Sequence, residues 1–268
     1  MTRPLTLILL LISTLAQADV TPLQIGDTFT LESKVLSERR TINVYLPAAY
    51  QDEQQPNLPV LYMPDGGIGE DFLHIAGLVQ IGSLNGTMRP HILVGIENTQ
   101  RRRDLTGPTE VAEDKEIAPV VGGSAKFRQF IRDELMPVIN QRYRTTGETA
   151  IMGESLAGLF VTETLLLEPD LFDTYIAIDP SLWWNNQAVS QAMIKQWPRY
   201  QGPAKRLYLA AGNKVSNLES TQALASQLHS HERLSVDFIA YPDENHGTIY
   251  HPAALDALRT LFPLSSSK

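Results

Sequence analysis

Short apolar runs separated by amphipathic stretches fill this chain from residue 60 onward, and that alternation limits its fold more than any other feature. The runs are Val60 to Met63, His91 to Ile96, Thr149 to Met152, Tyr175 to Ile178, Arg206 to Ala210 and Val236 to Ala240. Helical segments lie between and after them: Glu70 to Ile81, a helix after Gly122-Gly123, Leu159 to Leu167, Asn185 to Gln196, Ser216 to Leu228 and Ala253 to Leu261. Strands that are apolar throughout are buried on both faces, and the intervening helices supply the cover. The pattern predicts an α/β fold with a mostly parallel sheet and helices on both faces. Ahead of it, Thr28 to Val35 and Thr41 to Leu46 alternate apolar with polar residues and read as an antiparallel pair. No composition break, low-complexity linker or repeat divides residues 19–268, which read as one domain.

The first 18 residues read differently. Met1-Thr2-Arg3-Pro4 is a short basic start, Leu5 to Leu15 is almost wholly apolar, and Ala16-Gln17-Ala18 closes the stretch before Asp19. That is the layout of a secretory signal peptide cleaved after Ala18, and the apolar run falls short of the roughly 20 residues a membrane span needs. The expectation is a periplasmic or secreted protein with no membrane anchor after cleavage. The sequence contains no cysteine, which excludes disulfides, thiolate metal sites and a cysteine nucleophile. The net charge of −8, with Arg101-Arg102-Arg103 the one local basic cluster, argues against nucleic acid as a partner.

Within this frame one junction carries chemistry. Thr149-Ala150-Ile151-Met152 runs into Gly153-Glu154-Ser155-Leu156-Ala157-Gly158 and then into an apolar helix. A serine between small residues at a strand-to-helix turn is the setting of a nucleophile elbow, where bulky side chains two residues to either side would collide. The following helix points its free N–H groups and positive dipole end at the serine oxygen. Serine needs a base, and in this architecture a histidine comes last in chain order, after the final strand. His246, in Tyr241-Pro242-Asp243-Glu244-Asn245-His246-Gly247-Thr248, occupies that place. Of the other histidines, His251 is the rival by proximity, and the rest read as packing or surface groups.

An oxyanion hole needs two backbone N–H donors. Leu156, directly after the serine, is one expected donor, and Gly67 of Pro64-Asp65-Gly66-Gly67 is the other, with Gly66 second. An acid to orient His246 is sought after the strand ending near Ala211, where Lys214 stands and Glu219 is the first carboxylate. Two readings stay open here: a triad completed by Glu219, or a serine–histidine dyad with Glu219 solvated on its helix.

Several further segments resemble one family. They are Leu61-Tyr62-Met63-Pro64-Asp65-Gly66, Asn98-Thr99 with Arg101, Arg103-Asp104-Leu105-Thr106, Gly158-Leu159-Phe160, Pro180-Ser181-Leu182-Trp183-Trp184 and Tyr241 to Thr248. In this order they resemble the esterase D-like branch of the α/β-hydrolases, and within it the periplasmic siderophore esterases of the enterobactin and salmochelin type. The resemblance spans nearly the whole mature chain. It implies a serine hydrolase of carboxylic esters that uses neither metal nor cofactor, with Ser155 as nucleophile, His246 as base and a small-molecule ester as partner. Two departures stand out: the family usually has histidine and glycine where this chain has Glu154 and Ala157, and it often has a carboxylate near Lys214.

Specificity rests on fewer residues. Trp183 and Trp184 wall a substrate pocket in one reading and pack in the core in another. Arg101 and its neighbours steer an anionic substrate in one reading. In the plainer reading Arg103-Asp104 is a structural ion pair and Arg102 is solvated. The alternatives to a siderophore esterase are a feruloyl or acetyl esterase acting on carbohydrate esters, and a non-catalytic binding protein on a hydrolase scaffold.

Overall fold

The computed structural model describes residues 19–51 and 57–264, so the expected signal peptide lies outside the described residues. In chain order the strands are β1 (Gly26–Ser33), β2 (Glu38–Tyr45), β3 (Leu58–Pro64), β4 (Ile92–Ile96), β5 (Thr145–Glu154), β6 (Thr174–Ile178), β7 (Lys205–Ala211) and β8 (Leu234–Ala240). They form one eight-stranded sheet in the order β1-β2-β4-β3-β5-β6-β7-β8. β1 and β2 pair antiparallel, β2 meets β4 antiparallel, and every pairing from β4 through β8 is parallel. The architecture expected from the alternation of apolar runs and helices is the one present.

Side chains on a strand point alternately to the two faces, so a wholly apolar strand feeds two cores. Val60 and Tyr62 of β3, with Ile151 of β5 and Tyr175 and Ala177 of β6, join one cluster. Leu61 and Met63, with Ala150, Met152, Ile176 and Ile178, join the other. The second face is covered by α1 (Phe72–Leu84) and, at the chain's end, by a helix spanning Tyr250–Leu261. The first face carries α2 (Arg101–Leu105), α4 (Ser124–Phe130), α5 (Met136–Arg142), α6 (Leu156–Leu167), α7 (Trp184–Gln196) and α8 (Val215–Leu228), with α3 (Ala112–Ile117) leading into Ala118 of the same cluster. The terminal helix is α9.

Two helices depart from their expected form for local reasons. The single helix expected after Gly123 is broken into α4 and α5 by a π-helical turn at Ile131–Leu135. Pro137 has no N–H to give the carbonyl of Asp133, and its ring crowds that carbonyl, so the turn widens there. α7, expected to start as regular helix at Asn185, instead passes through left-handed backbone at Asn185, Asn186 and Gln187. Asparagine tolerates that region better than most residues. The Asn185 N–H donates to Asp114 Oδ2 at 2.8 Å, which ties this turn to α3.

Candidate active site

The C-terminal ends of the parallel strands carry the chemistry. Asp65 follows β3, Ser155 follows β5, Asp179 follows β6, and the loop after β8 carries His246. The chain runs outward from β3 in opposite directions, to β4 on one side and β5 on the other, and ligands of open α/β sheets bind at such switch points.

Ser155 sits at φ 61°, ψ −120°, a conformation that non-glycine residues rarely adopt. Bonds on both sides hold it there: its N–H donates to Ile178 O at 3.0 Å, and its carbonyl accepts from Leu159 and Ser181, each at 3.0 Å. A Cβ added at Gly153 would lie 2.6 Å from the Ala157 side chain. The turn therefore requires glycine at 153 and leaves room for no more than alanine at 157. Ala157, a departure from the family pattern, fits the elbow.

His246 Nε2 lies 3.0 Å from Ser155 Oγ. Its other ring nitrogen, Nδ1, lies 2.5 Å from Asp179 Oδ2. With the proton on Nδ1 donated to Asp179, Nε2 is left to accept the serine hydroxyl, which is the orientation a general base needs. The Asp179 side chain is wholly buried and also accepts from Gly212 N at 3.1 Å and Asn217 Nδ2 at 3.0 Å. Burial alone would raise its pKa, but the hydrogen bonds from His246, Gly212 and Asn217 outweigh it and hold the carboxyl below its ordinary value. For His246 the bond to Asp179 is the largest influence and raises its pKa against the opposing effect of burial, with Glu154 adding to the rise and Lys214 opposing it.

The structure brings Asp179, and not Glu219, to the histidine. Glu219 lies exposed on α8 and shares no bond with His246, whereas Asp179 ends a strand adjacent to that of the serine. The serine–histidine pair thus has an acid behind it, one strand earlier than the sequence expectation put it. Asp179 has φ 41°, so its side chain leaves the strand end in an unusual direction. An aspartate before Pro180 at the end of an apolar run was the one trace of this in the sequence.

Of the two expected oxyanion donors, the structure leaves Leu156 free and engages Gly67 elsewhere. Leu156 opens α6, so its N–H has no carbonyl one turn back in the helix and faces the serine end. The Gly67 N–H is instead bonded to Glu70 Oε2 at 2.7 Å, and the Gly66 N–H to Ile96 O at 3.0 Å. Asn98 reinforces this loop, its Nδ2 reaching Asp65 Oδ1 at 2.5 Å and Glu70 Oε1 at 2.9 Å. The glycines thus serve close packing: a Cβ at Gly66 would come within 2.2 Å of the Ile96 backbone nitrogen.

Ser155 and His246 open into a cleft of about 210 Å³ walled by Arg101, Arg102, Trp183 and Lys214. Arg101 is held by a two-point bond to Asp65, Nε to Oδ1 at 2.7 Å and Nη2 to Oδ2 at 2.8 Å. Arg103 is the structural ion-pair residue, bonded to Asp104 Oδ1 at 2.7 Å and to Glu38 Oε1 at 2.7 Å. Arg102 is exposed, with Nη1 donating to Ile117 O. Trp184 packs in the core and donates its Nε1–H to Gly107 O at 3.1 Å, while Trp183 stays partly open to the cleft. His251, the rival by proximity, pairs with His74 at 2.9 Å, and it is His246 that bonds the serine. Glu154, Asp179 and His246 each place one ligand atom within 4.8 Å of the others, but a cation on Nδ1 would take the nitrogen that bonds Asp179.

The family described as Putative esterase matches residues 33–246. The chain belongs to this family. Among curated relatives, the ferri-bacillibactin esterase BesA of Bacillus subtilis is 27% identical over 253 residues, covering 83% of this chain and 85% of that protein. The siderophore triacetylfusarinine C esterase of Aspergillus fumigatus is 32% identical over 191 residues, 63% of this chain and 60% of that one. An IroE-like serine hydrolase from Shewanella oneidensis has the same fold at TM-score 0.80 with 30% identity, covering 88% of this chain and 80% of the other. Membership in this esterase family supports ester hydrolysis as the chain's chemistry.

Proposed function

We propose that this protein hydrolyses carboxylic esters through an acyl-enzyme on Ser155, with siderophore esters as its substrate class. The observation that carries the reading is the line Ser155 Oγ, His246 Nε2, His246 Nδ1, Asp179 Oδ2, with donor–acceptor separations of 3.0 and 2.5 Å. In this reading Oγ attacks the ester carbonyl carbon as its proton passes to Nε2. The Leu156 N–H stabilises the oxygen that becomes negative, and the proton then goes from Nε2 to the departing alkoxide. Water repeats the cycle on the acyl-enzyme.

The substrate class is supported by the relatives, whose names specify bacillibactin and triacetylfusarinine C esters, and by the cationic wall of the cleft. Arg101 is paired with Asp65, but Arg102, which bonds a carbonyl, and Lys214 leave positive charge at the cleft of a chain with net charge −8, which favours an anionic substrate. The cleft is small for a whole siderophore, so the scissile ester enters it and the rest lies over Trp183 and the rim. Export to the periplasm or outside the cell belongs to the same proposal and rests on residues 1–18 of the sequence.

A hydrolysis panel tests it. Trilactone siderophores, iron-loaded and iron-free, are compared with feruloyl sugars and short acyl esters, using wild type and Ser155→Ala. Preference for the siderophores, lost by ~10⁴-fold or more in the variant, supports the reading. Preference for feruloyl or acetyl sugars assigns the site to carbohydrate esters instead, and no turnover with any ester removes the catalytic reading.

A further inference from the structure

The residue before an elbow nucleophile has only to make the turn, yet here it brings a carboxylate into the catalytic cluster. The Glu154 side chain is 16% exposed. Its Oε1 is buried with no hydrogen-bond donor. That oxygen lies 3.4 Å from His246 Nδ1, the nitrogen that also faces Asp179 Oδ2 at 2.5 Å. A buried carboxylate oxygen without a donor is costly unless the group is neutral or faces a cation. Arg101 is the nearby permanent cation, and its Nε and Nη2 are already committed to Asp65. The cation that comes and goes beside Glu154 is the protonated imidazole.

We propose that Glu154 is a positioning residue for His246, a second carboxylate on the Nδ1 side that favours the imidazolium formed when Ser155 gives up its proton. The inference rests on the reading of Ser155 and His246 as nucleophile and base. The proton leaves Oγ for Nε2 as the Oγ–carbon bond forms, and the resulting cation has Asp179 and Glu154 on its far side. When Nε2 passes the proton to the alkoxide, the ring is neutral again and Glu154 faces no charge on it.

The surroundings give the effect its sign. His246 is faced by Asp179 from the end of β6, by Glu154 from β5, and by Lys214 from the loop after β7, which opposes the two acids. Glu154 is faced by His246, by Arg101 from α2, and by Asp179 and Asp65 from the ends of β6 and β3. Burial pushes its carboxyl up to about 7, against the pull of His246 and Arg101. Glu154, 3.4 Å from His246 Nδ1, therefore changes charge near neutrality, and its ionisation is linked to that of the ring.

The test is the pH dependence of kcat/KM for wild type and Glu154→Gln, with the His246 ring protons followed by NMR in both. Removing the negative charge lowers the His246 pKa, so neutral imidazole persists to lower pH. The acid limb moves down by roughly half a unit to one unit, with KM nearly unchanged. In wild type the His246 ring signals show two inflections, one from each member of the pair, and in Glu154→Gln they show one. An unmoved acid limb, or a single inflection in wild type, overturns the proposal, and the second measurement holds even if the variant does not fold. An inactive wild type overturns the hydrolase reading instead, while the NMR titration still decides the part played by Glu154.

Discussion

Asp179 and His246 stand 67 positions apart in the chain, and their side chains meet at 2.5 Å, the aspartate on the ring nitrogen that faces away from Ser155. The contact closes because β6 lies beside β5, so the residue after β6 emerges next to the elbow. Asparagine at 179 keeps the shape but offers an amide that selects the wrong histidine tautomer. Asp179→Asn therefore lowers kcat by about 10³–10⁴-fold in steady-state ester hydrolysis. Glu219→Gln, exposed on α8 and sharing no bond with the ring, stays within about twofold of wild type.

The elbow itself sets a steric prediction. The Cβ of Gly153→Ala would lie 2.6 Å from the Ala157 side chain and equally near that residue's carbonyl carbon. Backbone has to shift to admit it. The variant loses about 1–3 kcal/mol of stability in denaturant unfolding, and its labelling by a fluorophosphonate slows because Oγ no longer lines up with His246.

A third prediction concerns acid. In the proposed mechanism His246 works only when neutral, and the Asp179 hydrogen bond holds its pKa above the ordinary histidine value of 6.5. Wild-type kcat/KM is accordingly full on the alkaline side and falls as pH drops through a midpoint above 6.5. A pH–rate profile with its acid midpoint at or below 6.5 contradicts this account.

Stability responds to acid through a different histidine. His91 is buried against Phe262 with Nδ1 on Arg89 O at 2.9 Å, and burial pushes its pKa down to about 4. The unfolded chain takes up a proton below 6.5 that the folded chain refuses until about 4. The stability from keeping this ring neutral is full above pH 6.5 and is lost as pH falls from 6.5 to 4, by up to about 3 kcal/mol. Urea unfolding midpoints measured across that range show the loss, and His91→Leu makes it shallower.

The sheet and the elbow turn were legible in the sequence because each depends on local pattern, and the meeting of His246 with Ser155 because His246 follows the last strand in chain order. Period-two and helical repeats reveal strands and helices, and a serine between small residues reveals a tight turn. Asp179 was not legible, since its role depends on which strand lies next to β5 and on a φ of 41° that turns its side chain toward the loop after β8. The engagement of the Gly67 N–H is hidden from the sequence for a similar reason. A glycine near an active site suggests a free N–H, but Glu70, three residues on, folds back to take it. The left-handed turn at Asn185 to Gln187 breaks a segment whose composition alone suits a helix.

The two-helix layer on one face of the sheet has a consequence for how the protein fails. The His246 loop runs directly into α9, which rests on the sheet beside α1, with His74 and His251 joining the two helices at 2.9 Å. Ser155 is instead rooted in β5 and α6 on the more heavily covered face. Partial opening that lifts the thinner layer would carry His246 away from Ser155 while Ser155 stays in its strained turn. On the proposed mechanism, warming that opens this layer first would stop ester hydrolysis before the chain unfolds, and activity would return on cooling.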